Sequence, residues 1–102
     1  MIVSLVRFRS ELSDDDVQAL FENRADRYRS VTGLVEKLYL QFRDTGEFGG
    51  VYVWESEEDL QRFRETDLAG TIPDVYRVDG APAPEVADVC LVIQRRRNHI
   101  TI

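Results

Sequence analysis

The sequence predicts an α+β fold in which two helices and an antiparallel sheet follow the order βαββαβ, with one extra C-terminal strand. Three observations lead to this prediction. Five short runs have the alternating or β-branched character of strands, and two segments with helical spacing each begin at a serine followed by acidic residues. The chain has 102 residues, 43% of them hydrophobic, which suffices for one core. We therefore expect a single domain over residues 1–102.

The first strand and the first helix are predicted at the N-terminus. Ile2–Phe8 is short and rich in branched residues, as strands are. Ser13 can then accept hydrogen bonds from the amides of a first helical turn, and Asp14–Asp16 suit the positive end of the helix dipole. An apolar stripe follows at three- and four-residue spacing, formed by Val17, Leu20, Phe21, Ala25 and Tyr28. The charged residues between them predict a solvated face, formed by Glu22, Arg24, Asp26, Arg27 and Arg29.

A hairpin is predicted next. Leu34–Arg43 alternates cleanly, and Asp44-Thr45-Gly46 supplies turn chemistry before the run GGVYVW, which ends at Trp54. The alternation places three partly polar residues on one side of the first of these strands, namely Lys37, Tyr39 and Gln41.

The second helix and the last two strands complete the pattern. Ser56 precedes three acidic residues and starts the helix, with Leu60 and Phe63 facing inward. After Gly70 and Pro73 we expect a fourth strand at residues 75–79 and a fifth at residues 88–94. The basic and then apolar tail, residues 95–102, suggests at most a strand extension.

This order is the ferredoxin-like arrangement, in which right-handed crossovers place both helices on one face of the sheet. The strand that ends at Trp54 is nevertheless apolar on both faces. If Val51 and Val53 meet the helices, Gly50, Tyr52 and Trp54 lie on the helix-free face. Two large rings would expose roughly 300–500 Å², as much as the largest apolar patch of a typical monomer. We therefore expect the helix-free face to be covered.

Three kinds of cover correspond to three classes of function. A nucleic acid is disfavoured by the net charge of −6, and by Glu47 or Gly46 at the position where an RNA recognition motif has a basic residue. A purely structural dimer would bury Tyr52 and Trp54 in an interface without water. Burial of the unpaired Lys37 amine in the same interface would then be energetically costly. The third cover is a small-molecule cavity lined by rings and a few polar groups.

Several other classes are disfavoured by single residues. Cys90 is the only cysteine and His99 the only histidine, so an intrachain disulfide, a thiolate metal cluster, a histidine metal site and a Ser/His/Asp triad are not expected. Arg7 and Arg9 interrupt the N-terminal apolar run, which therefore resembles neither a signal peptide nor a membrane span. A cytoplasmic protein without membrane partners is the default expectation.

Two spacings resemble a known family. G-L-x-x-K-x-Y runs from Gly33 to Tyr39, and E-x-G-G-V-Y-x-W runs from Glu47 to Trp54 before an acidic helix start. Both are similar to the dimeric α/β barrel proteins, most closely the YdhR-type monooxygenases, and Trp-Glu-Ser at 54–56 resembles the wider antibiotic-biosynthesis monooxygenase group. The order of elements matches over residues 2–93.

The resemblance implies a homodimer with pockets along its sheets and oxygenation of small aromatic, polyketide-like compounds without metal or flavin. In such a pocket, between helix-free sheet faces, we expect Lys37 to act as a cation or base and Tyr39 to bind an oxyanion. The expected substrate-binding residues are Gly50, Tyr52, Trp54, Gln41 and Arg77. Haem-cleaving members of the group would need an Asn on the first strand and a His beyond the second helix, and this sequence has neither. A dimer that binds small molecules without chemistry is the alternative.

Overall fold

The computed structural model describes residues 1–94 and confirms the α+β order. The strand extension suggested for residues 95–102 lies outside the described residues. The elements are β1 (Ile2–Ser10), α1 (Asp14–Arg29), β2 (Leu34–Gln41), β3 (Phe48–Trp54), α2 (Glu57–Arg64), α3 (Asp67–Gly70), α4 (Ile72–Val75), β4 (Val78–Asp79) and β5 (Glu85–Asp88). None of the helices in this part of the chain has the length and apolar character that crossing a membrane requires.

The sheet is antiparallel and has β1 near its centre. The strand order is β2-β3-β1-β4, and β5 also pairs with β1. Ile2 lies opposite Trp54 and Phe8 opposite Phe48 in the β1–β3 pair. Because β3 occupies one edge of β1, β4 and β5 share the other edge, where they pair with Arg9–Ser10 and Ile2–Leu5. Together these two short strands take the place of the fourth strand of a ferredoxin-like sheet.

The last two strands differ from their predicted ranges. Residues 72–75 form a helical turn with Pro73 in its first turn, so β4 keeps only Val78–Asp79. The fifth strand lies at Glu85–Asp88 rather than at residues 88–94. Its pairing is followed by one further hydrogen bond, from the amide of Val89 to the carbonyl of Met1. Residues 90–94 have no regular secondary structure.

Both long helices begin where the sequence predicts. The Ser13 hydroxyl accepts a hydrogen bond from the amide of Asp16, and the Ser56 hydroxyl accepts one from the amide of Asp59. The two helices pack on one face of the sheet, which we call the covered face. The other face, the open face, includes Val51 and Val53 of β3.

The predicted orientation of β3 is wrong. Tyr52 and Trp54 lie on the covered face, where the Trp54 ring is 5.3 Å from the Phe63 ring of α2 and the Tyr52 ring is 6.2 Å from the Tyr28 ring of α1. Trp54 is fully buried. Rings on both helices offer aromatic partners to Tyr52 and Trp54. The smaller valines would leave space unfilled beside these rings, whereas protein interiors are packed to high density. Lys37 and Tyr39, which share the face of Tyr52, move to the covered face with it.

Candidate active site

A cavity of about 440 Å³, the large cavity, lies between the covered face and the segment from α2 to residue 84. Its walls are mostly apolar, with Ser4 and Arg64 as polar members. The apolar walls include Val6, Phe8, Tyr52, Trp54, Leu60 and Phe63. This volume falls within the range of small-molecule sites, which combine apolar walls with a few polar groups.

Two stacked rings form one wall of the large cavity. Tyr52 and Trp54 lie 5.8 Å apart between ring centroids, with planes 4° from parallel. The indole Nε1–H of Trp54 donates a hydrogen bond to the buried Ser4 hydroxyl at 3.1 Å, which fixes the orientation of the ring. The alternation of side chains along β1 indicates which face Ser4 occupies. The sequence does not give the register between β1 and β3, so it could not predict that Ser4 lies beside Tyr52.

A second space, the inner chamber, lies behind Tyr52 and has a volume of about 50 Å³. Its walls include Phe21, Lys37, Tyr39 and Gly50. It shares four wall residues with the large cavity, namely Val6, Phe8, Tyr52 and Ile72. The two spaces are therefore neighbours separated by side chains.

A third space, the outer groove, lies between α1 and β2 and has a volume of about 370 Å³. It shares Tyr28, Lys37 and Tyr39 with the inner chamber. Outer groove, inner chamber and large cavity therefore lie in series across the covered face. Lys37 stands at the first junction and Tyr52 at the second.

Lys37 is the only lysine of the chain, and three tyrosine rings surround its ammonium group. The Nζ atom lies 3.3 Å from the ring centroid of Tyr28, 4.2 Å from that of Tyr39 and 4.5 Å from that of Tyr52. Burial, with a smaller effect from the charge of Arg24, lowers the pKa of Lys37 to about 7. The ring faces attract the ammonium and oppose this shift. Near neutral pH, Lys37 can therefore both hold and release a proton.

Arg24 of α1 corrects the prediction of a solvated helix face. Only 7% of the residue is exposed, and its Nη2 donates to the carbonyl of Leu68 at 3.1 Å and to the Thr71 hydroxyl at 3.3 Å. Among residues 1–94, no carboxylate lies within ion-pair distance of Arg24 or Lys37. The signal was present in the sequence, since Arg24 follows Phe21 by three residues and precedes Tyr28 by four.

Tyrosine hydroxyls complete this polar region. Those of Tyr28 and Tyr39 are buried and have no hydrogen-bond partner among the described residues. Burial is the main cause that raises the pKa of both groups and of Tyr52, and it raises the pKa of Tyr76 to about 12. All four stay neutral at physiological pH. The region thus presents proton donors and positive charge, with no carboxylate of residues 1–94 at ion-pair distance from Lys37 or Arg24.

The predicted site residues fall into two groups. Lys37, Tyr39, Gly50 and Tyr52 meet at the inner chamber, and Trp54 joins them through its stacked contact with Tyr52. Two others lie outside the three spaces.

Gln41 is exposed and donates to the Asp14 carboxylate at 3.0 Å. Arg77 is exposed in a turn with φ 45°, and it lines none of the three spaces. The prediction that Gln41 and Arg77 join the others in one pocket is therefore not met by this geometry. The β2 alternation that grouped Gln41 with Lys37 holds, but Gln41 is at the far end of the strand.

Comparison with solved structures gives the same fold at low sequence identity. SnoaB, a cofactor-independent oxygenase from Streptomyces nogalater, is 14% identical with a TM-score of 0.72, over 92% of this chain and 97% of SnoaB. Rv0793 from Mycobacterium tuberculosis is 15% identical with a TM-score of 0.71, over 91% and 98%. An MhuD variant with two manganese protoporphyrin IX molecules per active site is 16% identical with a TM-score of 0.73, over 92% and 99%. At such identities the likeness shows the fold alone.

The family comparison is more specific. None of the curated proteins matches the sequence. Residues 4–72 match the family described as "Putative mono-oxygenase ydhR", a range that covers both spacings from which the resemblance was drawn. Because this range includes more than half of the 102 residues, the chain belongs to the ydhR mono-oxygenase family.

Proposed function

We propose that the protein is a cofactor-independent monooxygenase that acts on a small aromatic or polyketide-like compound bound in the large cavity. The observation that carries this proposal is the stacked Tyr52–Trp54 wall, which leads from an apolar cavity of ligand size to the buried Lys37 amine. Membership of a mono-oxygenase family supports the reaction class. The fold shared with SnoaB, described as a cofactor-independent oxygenase, is consistent with the absence of a cofactor from the reaction.

The reaction needs a substrate that can lose a proton and then an electron. Tyr52 stands between the large cavity and Lys37, so this ring must turn aside before the proton can move. Lys37, which near pH 7 is partly neutral, then accepts a proton from a CH₂ group or phenol activated by the ring system. The resulting anion transfers one electron to dioxygen, and the substrate radical and superoxide combine to a substrate peroxide anion. This anion takes a proton from the Lys37 ammonium and becomes a substrate hydroperoxide. When the carbon is a CH₂ group, loss of water leaves one oxygen atom as a ketone and the other as water.

The residues around the cavities have separate roles in this reaction. Tyr52, held in place by the stacked and buried Trp54 ring, contacts a flat ring system from one side. Tyr39, kept neutral by burial, donates a hydrogen bond to developing negative charge near Lys37. The apolar walls exclude water, which strengthens both electrostatic effects.

We also propose that two copies of the chain pair through their open faces. This face carries apolar side chains that the monomer leaves partly accessible, namely Val3, Leu5, Leu38, Leu40, Val51 and Val53. Leu38 is 43% exposed. A contiguous apolar sheet face of this kind is typical of an interface. In this arrangement each copy keeps its own large cavity on the covered face.

One observation favours a second function, non-catalytic binding of a small molecule. Lys37 borders the inner chamber but not the large cavity, because Tyr52 stands between them. A ligand could therefore fill the large cavity without meeting the base.

Oxygen uptake distinguishes the two functions. Wild-type protein with anthrone-like or quinol-like compounds is expected to consume dioxygen above the protein-free rate. Lys37→Met should lower this rate about 100-fold or more, as the loss of a general base does. Arg43→Met, which removes an exposed cation, serves as the control. Binding of these compounds with no uptake above background would support the non-catalytic function instead.

A further inference from the structure

We infer that the inner chamber is a docking site for dioxygen, separate from the site of the aromatic compound, and that Lys37, Tyr28 and Tyr39 stabilise the superoxide formed there. The inference rests on the proposed oxygenation. It adds the location of the second substrate and the residues that favour its reduction.

The size of the inner chamber selects a small molecule. At about 50 Å³ it has room for a diatomic molecule but not for an aromatic ring system, whereas the neighbouring large cavity is about nine times larger. Gly50 contributes to this space. A Cβ atom at this position would lie 3.3 Å from Cε1 of Tyr52 and 3.6 Å from Cε of Lys37. Because glycine has no side chain, the space between Tyr52 and Lys37 stays open.

The walls of the inner chamber suit both redox states of dioxygen. Apolar residues such as Val6, Phe8 and Phe21 accept the neutral molecule without loss of hydrogen bonds. Three polar side chains there can donate hydrogen bonds: Lys37 through its amine, and Tyr28 and Tyr39 through hydroxyls that have no partner among the described residues. Tyr28 is only 5% exposed. These donors gain little from neutral dioxygen and much from an anion, so they favour the reduced state.

The series of three spaces provides separate routes. Dioxygen can reach the inner chamber from the outer groove past Lys37 and Tyr39, while the aromatic compound occupies the large cavity on the other side of Tyr52. One electron passes from the substrate anion to dioxygen, giving a substrate radical and superoxide. Their combination forms the carbon–oxygen bond of a substrate peroxide anion once Tyr52 turns aside, and the Lys37 ammonium returns its proton to this anion to give the hydroperoxide.

Xenon-pressurised crystals test the docking site without any need for turnover. Xenon is an apolar probe of the size of a small gas cavity. We expect it in the inner chamber of the wild type and of Gly70→Ala, a control because a Cβ at Gly70 meets nothing within 4 Å. Gly50→Ala should lose this xenon. Phe21→Trp, which narrows the chamber from α1, gives a second test if Gly50→Ala does not fold.

Xenon found only outside the inner chamber, or retained there in both filled variants, would overturn the inference. Kinetics then separate it from the proposed function. With a turning-over substrate, Gly50→Ala should raise the KM for dioxygen about tenfold and leave the KM for the aromatic compound unchanged, and equal changes in both would contradict separate sites. If xenon binds in the inner chamber but the protein shows no turnover, the chamber is a gas-binding site and the proposed oxygenase function is refuted.

Discussion

Lys37 shows how one side chain can carry a function that its neighbours define. It is the only lysine of a chain with net charge −6, yet three tyrosine rings surround its ammonium, and within residues 1–94 no carboxylate lies at ion-pair distance from it. A lysine on the surface would have no desolvation cost, but it would also stay protonated near neutral pH and could not act as a base. Burial of this amine destabilises its charged form, which is the property that a base near neutral pH requires.

The free energy of unfolding should depend on pH because Lys37 is buried. The pKa of Lys37 falls from 10.5 in the unfolded chain to about 7 in the folded protein, so between these values the unfolded state binds more protons and stability rises with pH. The slope is at most about 1.4 kcal/mol per pH unit. Above pH 10 the buried tyrosines reverse the trend, because burial raises their pKa values in the folded protein. In this range the folded state keeps phenolic protons that the unfolded state loses, so stability falls as the pH rises.

Urea unfolding of the wild type and Lys37→Met at pH 6, 8 and 9.5 measures this effect. The variant should be the more stable at pH 6, and the difference should shrink as the pH rises. The groups that face the amine, Arg24 and the tyrosines at 28, 39 and 52, remain in both proteins. Parallel pH profiles for the two proteins would show that Lys37 is solvated.

The hydrogen bond between Trp54 and Ser4 is a second single-residue feature that can be weighed. Ser4→Ala leaves the buried indole N–H without a partner and should cost about 1–3 kcal/mol in the free energy of unfolding. In a Trp54→Phe background, which lacks the donor, the same substitution should cost at least 1 kcal/mol less. Urea unfolding monitored by circular dichroism completes this cycle, and equal costs in both backgrounds would show that the bond contributes nothing.

At the level of strands and helices, the junction between α1 and β2 is built on Gly33. Its φ of 77° is left-handed, and a Cβ atom there would overlap the Asp59 carboxylate of α2. That carboxylate accepts hydrogen bonds from the Ser56 hydroxyl and from Arg62, both at 2.8 Å. Gly33 thus allows the turn into β2 to touch the start of α2.

Gly33→Ala should therefore destabilise the protein by about 3 kcal/mol or more, because it combines backbone strain with displacement of Asp59. Gly46→Ala is the matched control, since Gly46 has a similar φ of 72° and open space around it. It should cost about 1 kcal/mol, the strain alone. Thermal unfolding of both variants gives the comparison, and equal losses would mean that the contact with Asp59 is unimportant.

The elements were largely predictable because their signals are local. The serine caps at 13 and 56 and the alternation of β2 from Glu36 to Gln41 depend on neighbours in sequence, and both appear in the structure. The predicted alternation fails at Leu34, because a register shift between Leu34 and Glu36 places Leu34 opposite Trp54. Which face of β3 meets the helices was not predictable, because both sets of its side chains are apolar and only the rings on α1 and α2 decide between them. For the same reason the sequence grouped Lys37, Tyr39 and Tyr52 correctly but placed them on the wrong side of the sheet.

For the molecule as a whole, the covered and open faces have different tasks in our proposal. The covered face holds the cavities, and the open face pairs with a second copy. Leu38→Glu, which puts a charge among the apolar side chains of the open face, should convert the dimer to a monomer in sedimentation velocity. Val35→Glu is the control, because Val35 is also exposed on β2, at 50%, but lines the outer groove instead. A wild type that is already monomeric would refute the dimer.

The fluorescence of Trp54, the only tryptophan, tests most directly whether ligands bind on the covered face. Titration with a polycyclic quinone should quench it saturably in the wild type and equally in the monomeric Leu38→Glu variant. Ala69→Leu, which fills part of the large cavity from α3, should weaken quenching at least tenfold. Quenching that disappears in Leu38→Glu and persists in Ala69→Leu would instead place the ligand between the open faces of two copies and contradict the proposed site.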